Sequence, residues 1–91
     1  MTHERKVKIM NEQRFYVTSI EYNKQAKAEN RSQPFSFGNI DEAKKKFYQI
    51  LANDINNATL SWCNVILWDN YGNLILREYW HEQEQIVEQT I

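Results

Sequence analysis

Apolar and polar positions alternate over residues 14–22, and this pattern predicts a first β-strand. The segment is rich in aromatic and β-branched residues, which pack well on a pleated surface. Alternation places Phe15 and Val17 on one face of the strand, and Tyr16 and Tyr22 on the other. The next segment, 23–33, has no apolar residue larger than alanine, so we expect it to cross the surface as a loop.

A short second strand and a helix are predicted after this loop. Pro34 withholds an N–H donor, which suits the start of an edge strand that continues over 35–37. Asn39 can cap a helix over 40–56, and Glu42 follows at the spacing of a capping box. Asn56 suits the helix end, because asparagine tolerates the left-handed conformation. The helix carries one apolar stripe, formed by Ile40, Ala43, Phe47, Ile50, Leu51 and Ile55.

A hairpin is predicted from two β-rich runs, 61–68 and 73–80. Asp69 and Gly72 occupy the first and fourth positions of the turn between them, which is typical of a type I turn followed by a left-handed glycine. A regular register from this turn places Trp62 opposite Trp80 and Cys63 opposite Tyr79. One face then carries Trp62, Ile66, Trp68, Leu74, Leu76 and Trp80, and the other Cys63, Val65, Leu67, Ile75 and Tyr79.

The predicted fold class is α+β: a small antiparallel sheet in the order β1–β2–α–β3–β4, with one helix packed on one face. A single helix covers only one face of such a sheet, whereas this hairpin is apolar on both. The N-terminal segment, the C-terminal segment, a second copy of the chain or a foreign partner must cover the other face. We expect a flexible arm over 1–13, one domain over 14–81 and a polar tail over 82–91.

Composition agrees with one small globular domain. The chain has 91 residues, of which 42% are hydrophobic and 25% charged. A single cysteine excludes an internal disulfide and fits a reducing compartment. The sequence shows no apolar run of membrane-spanning length and no secretory signal, so a soluble, cytoplasmic protein is expected.

Charge is divided unevenly along the chain. Residues 1–48 hold ten Lys and Arg against six Asp and Glu, whereas residues 49–91 hold one against six. Such a split favours a polar partner or self-attraction. The isoelectric point of about 6.1 lies well below the value of about 9 that is usual for nucleic-acid-binding domains.

Reactive side chains do not form a catalytic or ligand-binding pattern in the sequence. Cys63 stands between apolar neighbours in a strand, where a thiol is usually inert packing. His3 and His81 match no metal-ligand spacing, and the turn at Asp69 lacks the acids of a calcium loop. We therefore predict no enzymatic activity, cofactor or metal.

The main functional prediction is macromolecular binding through the second sheet face and the 23–33 loop. The partner is an unidentified protein or a second copy of the chain, as a homodimer, and no membrane is involved. The alternative is single-stranded nucleic acid, with bases stacking on the aromatic rings and phosphates held by Lys and Arg of the 23–33 loop. Asp69, Glu78 and the acidic tail would repel phosphates on that side. The predicted interaction residues are Tyr16, Tyr22, Lys24, Lys27, Arg31, Trp62, Trp68, Arg77 and Trp80.

Several sequence strings also carry a resemblance. The run YVTSIEYNKQAKAENR, a helix that starts with Glu42-Ala43, the string NATLSW and a tryptophan-rich last hairpin span about residues 14–82. Together they resemble small uncharacterised proteins of prophages and conjugative elements of Gram-positive bacteria. The resemblance implies an accessory protein of a mobile element in the host cytoplasm, and it implies no activity, cofactor or site residue.

Overall fold

The computed structural model describes residues 12–83 and forms an antiparallel sheet of five strands with one helix on one face. This confirms the predicted fold class. The arm expected over 1–13 and the tail expected over 82–91 fall almost wholly outside the described residues. The elements are β1 (Phe15–Asn23), β2 (Ala28–Arg31), β3 (Phe35–Phe37), α1 (Ile40–Ile55), β4 (Leu60–Asp69) and β5 (Leu74–His81). No helix in residues 12–83 has both the length and the apolar character to cross a membrane.

β1 is the central strand of the sheet. One edge pairs with β4, which in turn pairs with β5, and the other edge pairs with β2 and β3 placed end to end. Ser32 fills the gap between these two short strands. The hydroxyl of Thr18 donates to the Ser32 carbonyl at 2.8 Å, and the amide of Ser19 donates to the Ser32 hydroxyl at 3.1 Å. The edge of β1 is therefore bonded where its two partner strands are interrupted.

Segment 23–33 is not a simple loop, and that prediction was wrong for residues 28–31. The segment turns over 24–27 and returns as β2, which pairs with the end of β1. The side-chain oxygen of Asn23 accepts from the amides of Gln25 and Ala26, both at 2.9 Å, and Lys27 has a φ of 55°. All four β2 residues are exposed. Backbone pairing alone holds this edge strand, so it leaves no apolar pattern in the sequence.

The helix begins where the sequence predicts. The side-chain oxygen of Asn39 accepts from the amide of Asp41 at 2.7 Å and from that of Glu42 at 3.2 Å, which satisfies two free donors of the first turn. The end differs in conformation: Asn56 has a φ of −87° and is not left-handed. Its backbone amide and its side-chain amide both donate to the Ala52 carbonyl, at 3.2 Å and 2.9 Å, and so hold the last turn.

The core lies between α1 and the face of the sheet on which the helix packs, which we call the inner face. The apolar stripe of α1 meets alternate residues of β1 and β4, except for Ile55, which is 41% exposed. The fully enclosed members are Phe47, Leu67, Val17, Val65 and Cys63, and Phe15 and Ala43 complete the buried cluster.

The hairpin keeps its predicted turn but not its predicted register. The amide of Asp69 donates to the Asn73 carbonyl at 3.0 Å, and Gly72 has a φ of 90°. The ladder then shifts between Leu67 and Trp68. Trp68 faces Leu74 and Leu67 faces Leu76, so Ile75 has no partner in β4. This β-bulge exchanges the two faces of β5 from there on.

The predicted pairings beyond the bulge were therefore wrong. Cys63 faces Trp80 instead of Tyr79, and Trp62 faces His81 instead of Trp80. Trp80 moves to the inner face, where it packs against the core with Ile75 and Leu76. The opposite face of β5 receives Arg77 and Tyr79, which the regular register assigned to the side of Cys63.

Candidate interaction surface

The face of the sheet opposite α1, which we call the outer face, is rich in aromatic and aliphatic side chains, interrupted by Thr18 and Asn64. Alternation along β1 and β4 directs every second side chain to this face, and the β5 register adds two more. Within residues 12–83 the helix packs on the inner face only, and no second helix is present to cover the outer one. Its apolar residues are Tyr16, Ile20, Tyr22, Trp62, Ile66, Trp68, Leu74 and Tyr79.

Exposure of these side chains increases from the middle of the outer face toward β5. The rings of Tyr16, Trp62 and Trp68 are half-buried. In contrast, Leu74 is 58% exposed and Tyr79 is 55% exposed. The outer face therefore has a partly shielded aromatic centre and an open apolar edge, both accessible to a partner.

Cross-strand ring contacts organise the aromatic centre. Tyr16 faces Trp68 with ring centroids 5.6 Å apart, and Tyr22 faces Trp62 at 6.1 Å in a nearly parallel arrangement. Tyr79 extends this row across β5, with its ring 6.0 Å from that of Trp62. Such pairs lie within the range in which aromatic rings attract one another. The rings are consequently held in place before any partner arrives.

The outer face is bordered by positive charge. Arg31 lies opposite Ile20 and Arg77 opposite Ile66, so the register places both arginines on this face. The guanidinium of Arg14 also lies here, because it donates to the hydroxyl of Ser36 at 2.6 Å.

Only one carboxylate, that of Glu29 opposite Tyr22, lies on the outer face among the paired strand residues. Asp69 faces Phe15 and Glu78 faces Val65, which places both on the inner face. The expectation that these two acids repel phosphates on the aromatic side was wrong. For Glu78 the cause is the bulge, which moves its side chain to the inner face.

Six of the nine predicted interaction residues share the outer face. These are Tyr16, Tyr22, Arg31, Trp62, Trp68 and Arg77. Lys24 and Lys27 lie in the turn between β1 and β2, where the ammonium of Lys24 pairs with the carboxylate of Glu82 at 2.7 Å. Trp80 lies on the inner face. Sequence reasoning missed Tyr79 and Arg14. Tyr79 was missed because a regular register places it on the other face, and Arg14 because it precedes the first residue of β1.

Cys63 and Asp69 occupy structural positions. Cys63 has no exposed surface, and burial, followed by the charge of Asp54, raises the pKa of its thiol to about 12. Hydrogen bonds from Asn73 lower the pKa of Asp69, which holds the hairpin turn. Within residues 12–83 no group of three or more His, Cys, Asp or Glu side chains is placed to hold a metal ion.

Comparisons with known proteins give no relative from which a role could be transferred: no family model matches this chain, and no curated protein or solved structure matches it significantly. The geometry of the outer face therefore carries the functional argument.

Proposed function

We propose that this protein is a non-enzymatic binding module that engages another protein through the outer face. The observation that carries the proposal is the concentration of aromatic and aliphatic side chains on the side of the sheet opposite α1. Within the described residues no element covers it, and two of its side chains, Leu74 and Tyr79, are more than half exposed. Soluble monomers seldom expose a large continuous apolar patch unless it serves as a contact surface.

The free energy gained by covering the outer face is large compared with the stability of a small domain. Burial of apolar surface contributes roughly 25 cal/mol per Å², so covering several half-exposed aromatic and aliphatic side chains contributes on the order of several kcal/mol. Total stability of a small domain is only about 5–15 kcal/mol. Covering the outer face is therefore worth a large fraction of the free energy of unfolding.

Charge specifies the kind of partner. Arg14, Arg31 and Arg77 border the aromatic centre, so a complementary surface is apolar in the middle and carries carboxylates at its rim. A second copy fits this description less well. In a symmetric face-to-face dimer both copies would bring their arginines to the same interface. The resemblance to prophage and conjugative-element proteins supports an accessory role in the cytoplasm of a host cell.

Single-stranded nucleic acid is the second candidate, and one observation favours it. The outer face combines aromatic rings with three arginines and the single carboxylate of Glu29. Bases stack on such rings, while arginines bind the phosphates. Against it, the rings of Tyr22 and Trp62 already stack on each other, which leaves less ring surface for bases.

Photo-crosslinking from Tyr79 tests the proposal. The residue is replaced by p-benzoylphenylalanine and the protein is irradiated in cells of the organism that encodes it. The matched control is the same replacement at Tyr48, which is 53% exposed on α1. We expect a defined adduct from position 79 that proteases degrade and nucleases do not, and no adduct from position 48.

The other outcomes separate the alternatives. A nuclease-sensitive adduct that disappears steeply with added salt replaces the proposal with the nucleic-acid candidate. An adduct of twice the mass of the chain identifies a second copy. Equal labelling from both positions, or none from either, overturns the assignment of the outer face as a contact surface.

A further inference from the structure

A small cavity opens on the inner face, away from the outer face and independent of its function. Its volume is about 220 Å³ and its lining includes Ser19, Glu21, Ser32, Phe35, Ile50 and Asp54. Glu21 comes from β1 and Asp54 from the last turn of α1. Helix packing across the strand thus brings two carboxyl groups to one cavity.

Asp54 is the unusual group in this cavity. It is only 6% exposed, and its Oδ2 atom has no hydrogen-bond partner among the described residues. Glu21 receives one bond, from the hydroxyl of Ser19 at 3.3 Å. Neither carboxyl group forms an ion pair within residues 12–83, where the single salt bridge joins Lys24 to Glu82.

The end of the helix adds to the negative potential. Asp54 is the second-last residue of α1, and the last turn contains no basic residue. Free carbonyl groups at a helix C-terminus favour cations and disfavour carboxylates. A buried carboxyl at this position, beside a second one and without a countercharge, is expected to be neutralised by a proton or by a bound cation.

Protonation of Asp54 is one way in which this negative charge is neutralised. Burial, followed by a hydrogen bond with Glu21 and the charge of Glu21, raises the pKa of Asp54 to about 7. The thiol of Cys63 from β4 also neighbours Asp54 and stays neutral because its pKa is about 12. The ammonium of Lys46 from α1 lies over Phe35 at the wall of the cavity and forms no ion pair with either carboxyl group. Near neutral pH the Asp54 carboxyl is therefore partly protonated, and a cation could displace that proton.

We propose that this cavity binds a guanidinium group through Glu21 and Asp54. A guanidinium is flat and presents parallel N–H donors, which match carboxylate oxygens in a way that a compact ammonium does not. Phe35 and Ile50 supply walls for its apolar faces and stem. The Phe35 ring already has a cation nearby, since the ammonium of Lys46 lies 4.4 Å from its centroid.

A metal ion fits the cavity less well. Residues 12–83 place no third acidic, histidine or cysteine ligand beside the pair. The volume of about 220 Å³ also exceeds what one small ion needs, since a water molecule takes up about 30 Å³ in the liquid. An organic cation uses both the carboxyl groups and the apolar walls.

NMR titration of the full chain at pH 8 tests this proposal. The probes are agmatine, N-acetyl-arginine methylamide and the neutral N-acetyl-citrulline methylamide. We expect saturable shifts of the Glu21 and Asp54 amides with the two guanidinium probes and none with the citrulline probe. Tighter binding of the peptide-like probe assigns the site to an arginine side chain of a partner, and tighter binding of agmatine assigns it to a free small molecule.

Variants and pH complete the test. Asp54→Asn should weaken binding of the tighter guanidinium probe at least about tenfold, whereas Glu82→Gln, which removes an exposed carboxylate, should leave it unchanged. Glu21→Gln serves in place of Asp54→Asn if that variant does not fold. Affinity should rise from pH 6 to pH 8 as the Asp54 carboxyl loses its proton. Unsaturable shifts, equal binding of the citrulline probe, or unchanged affinity in Asp54→Asn would show that the cavity binds no guanidinium and that Asp54 is neutralised by a proton alone.

Discussion

Trp80 lies directly opposite Cys63 in the ladder between β4 and β5, and it packs against the buried core. Its neighbour Tyr79 points to the outer face and is 55% exposed. A regular hairpin from the same turn would reverse these two environments. The bulge between Leu67 and Trp68 therefore decides which aromatic ring stabilises the fold and which remains available for contact.

Alanine substitutions distinguish the two registers. Trp80→Ala should lower the free energy of unfolding by about 2–4 kcal/mol, because it removes a large ring from the core. Tyr79→Ala should lower it by less than about 1 kcal/mol, since the ring is largely exposed. Urea denaturation followed by circular dichroism measures both. The opposite order of effects would restore the regular register.

The free energy of unfolding should decrease as the pH rises from about 4 to about 7, because the pKa of Asp54 in the folded chain is raised to about 7 from its ordinary 3.8. Below pH 4 the Asp54 carboxyl is protonated in both the folded and the unfolded chain, and its favourable contribution to stability is fully present. Between the two pKa values the folded chain binds more protons than the unfolded chain, so stability falls until about pH 7 and then levels off.

Asp54→Asn should remove this pH dependence. The amide mimics the protonated carboxyl and is never charged, so the variant should be nearly equal in stability to the wild type below pH 4. It should become increasingly more stable than the wild type between pH 4 and pH 7 and remain so at pH 8. Urea midpoints across this range provide the measurement. Glu82→Gln, which changes an exposed carboxylate, should retain the wild-type curve. A wild-type slope in Asp54→Asn would place the titrating group elsewhere.

The rate at which the Cys63 thiol reacts should report global unfolding of the chain. Its side chain has no exposed surface and its thiol pKa is about 12, so the native chain should react very slowly with a thiol reagent such as DTNB. A Tyr48→Cys variant provides the comparison: its new thiol on α1 should react at once and Cys63 only as the chain unfolds. Rapid reaction of two thiols in the folded variant would contradict the packing around Cys63.

Gly72→Ala should cost about 1–2 kcal/mol of stability for conformational reasons alone. Gly72 has a φ of 90°, yet a methyl group there would meet no atom within 4 Å. Gly38→Ala is the matched control: its backbone is not strained, and its new methyl group would meet only the end of the Arg14 side chain, at 3.1 Å. Equal effects of the two substitutions would exclude backbone strain at the hairpin turn.

The elements that depend on side-chain periodicity could be predicted from the sequence. The alternation of β1, the apolar stripe of α1 and the cap at Asn39 each fix a local structure, and the structure has all three. Register in β5 could not be obtained in this way. Tyr79 and Trp80 are both aromatic, and Ile75 and Leu76 are both aliphatic, so a shift by one residue leaves each face apolar.

Other features depend on contacts that local patterns do not encode. β2 is held by backbone hydrogen bonds, and its exposed residues carry no periodic signal. The pairing of Glu21 with Asp54 requires the helix to cross β1 at one particular position, which tertiary packing alone determines. The outer face itself could be anticipated, because a hairpin that is apolar on both sides has more surface to bury than one helix can cover.

The pairing of β1 with β4 has a consequence for biosynthesis. Phe15 is the register partner of Asp69, so the middle of the sheet joins strands from distant parts of the chain. While the ribosome is still making α1, β1 has only its short neighbours β2 and β3 to pair with, and its aromatic side chains remain open to other nascent chains or chaperones. Closure of the sheet requires Leu60–Asp69, so β1 gains its longest partner only after this strand has left the exit tunnel.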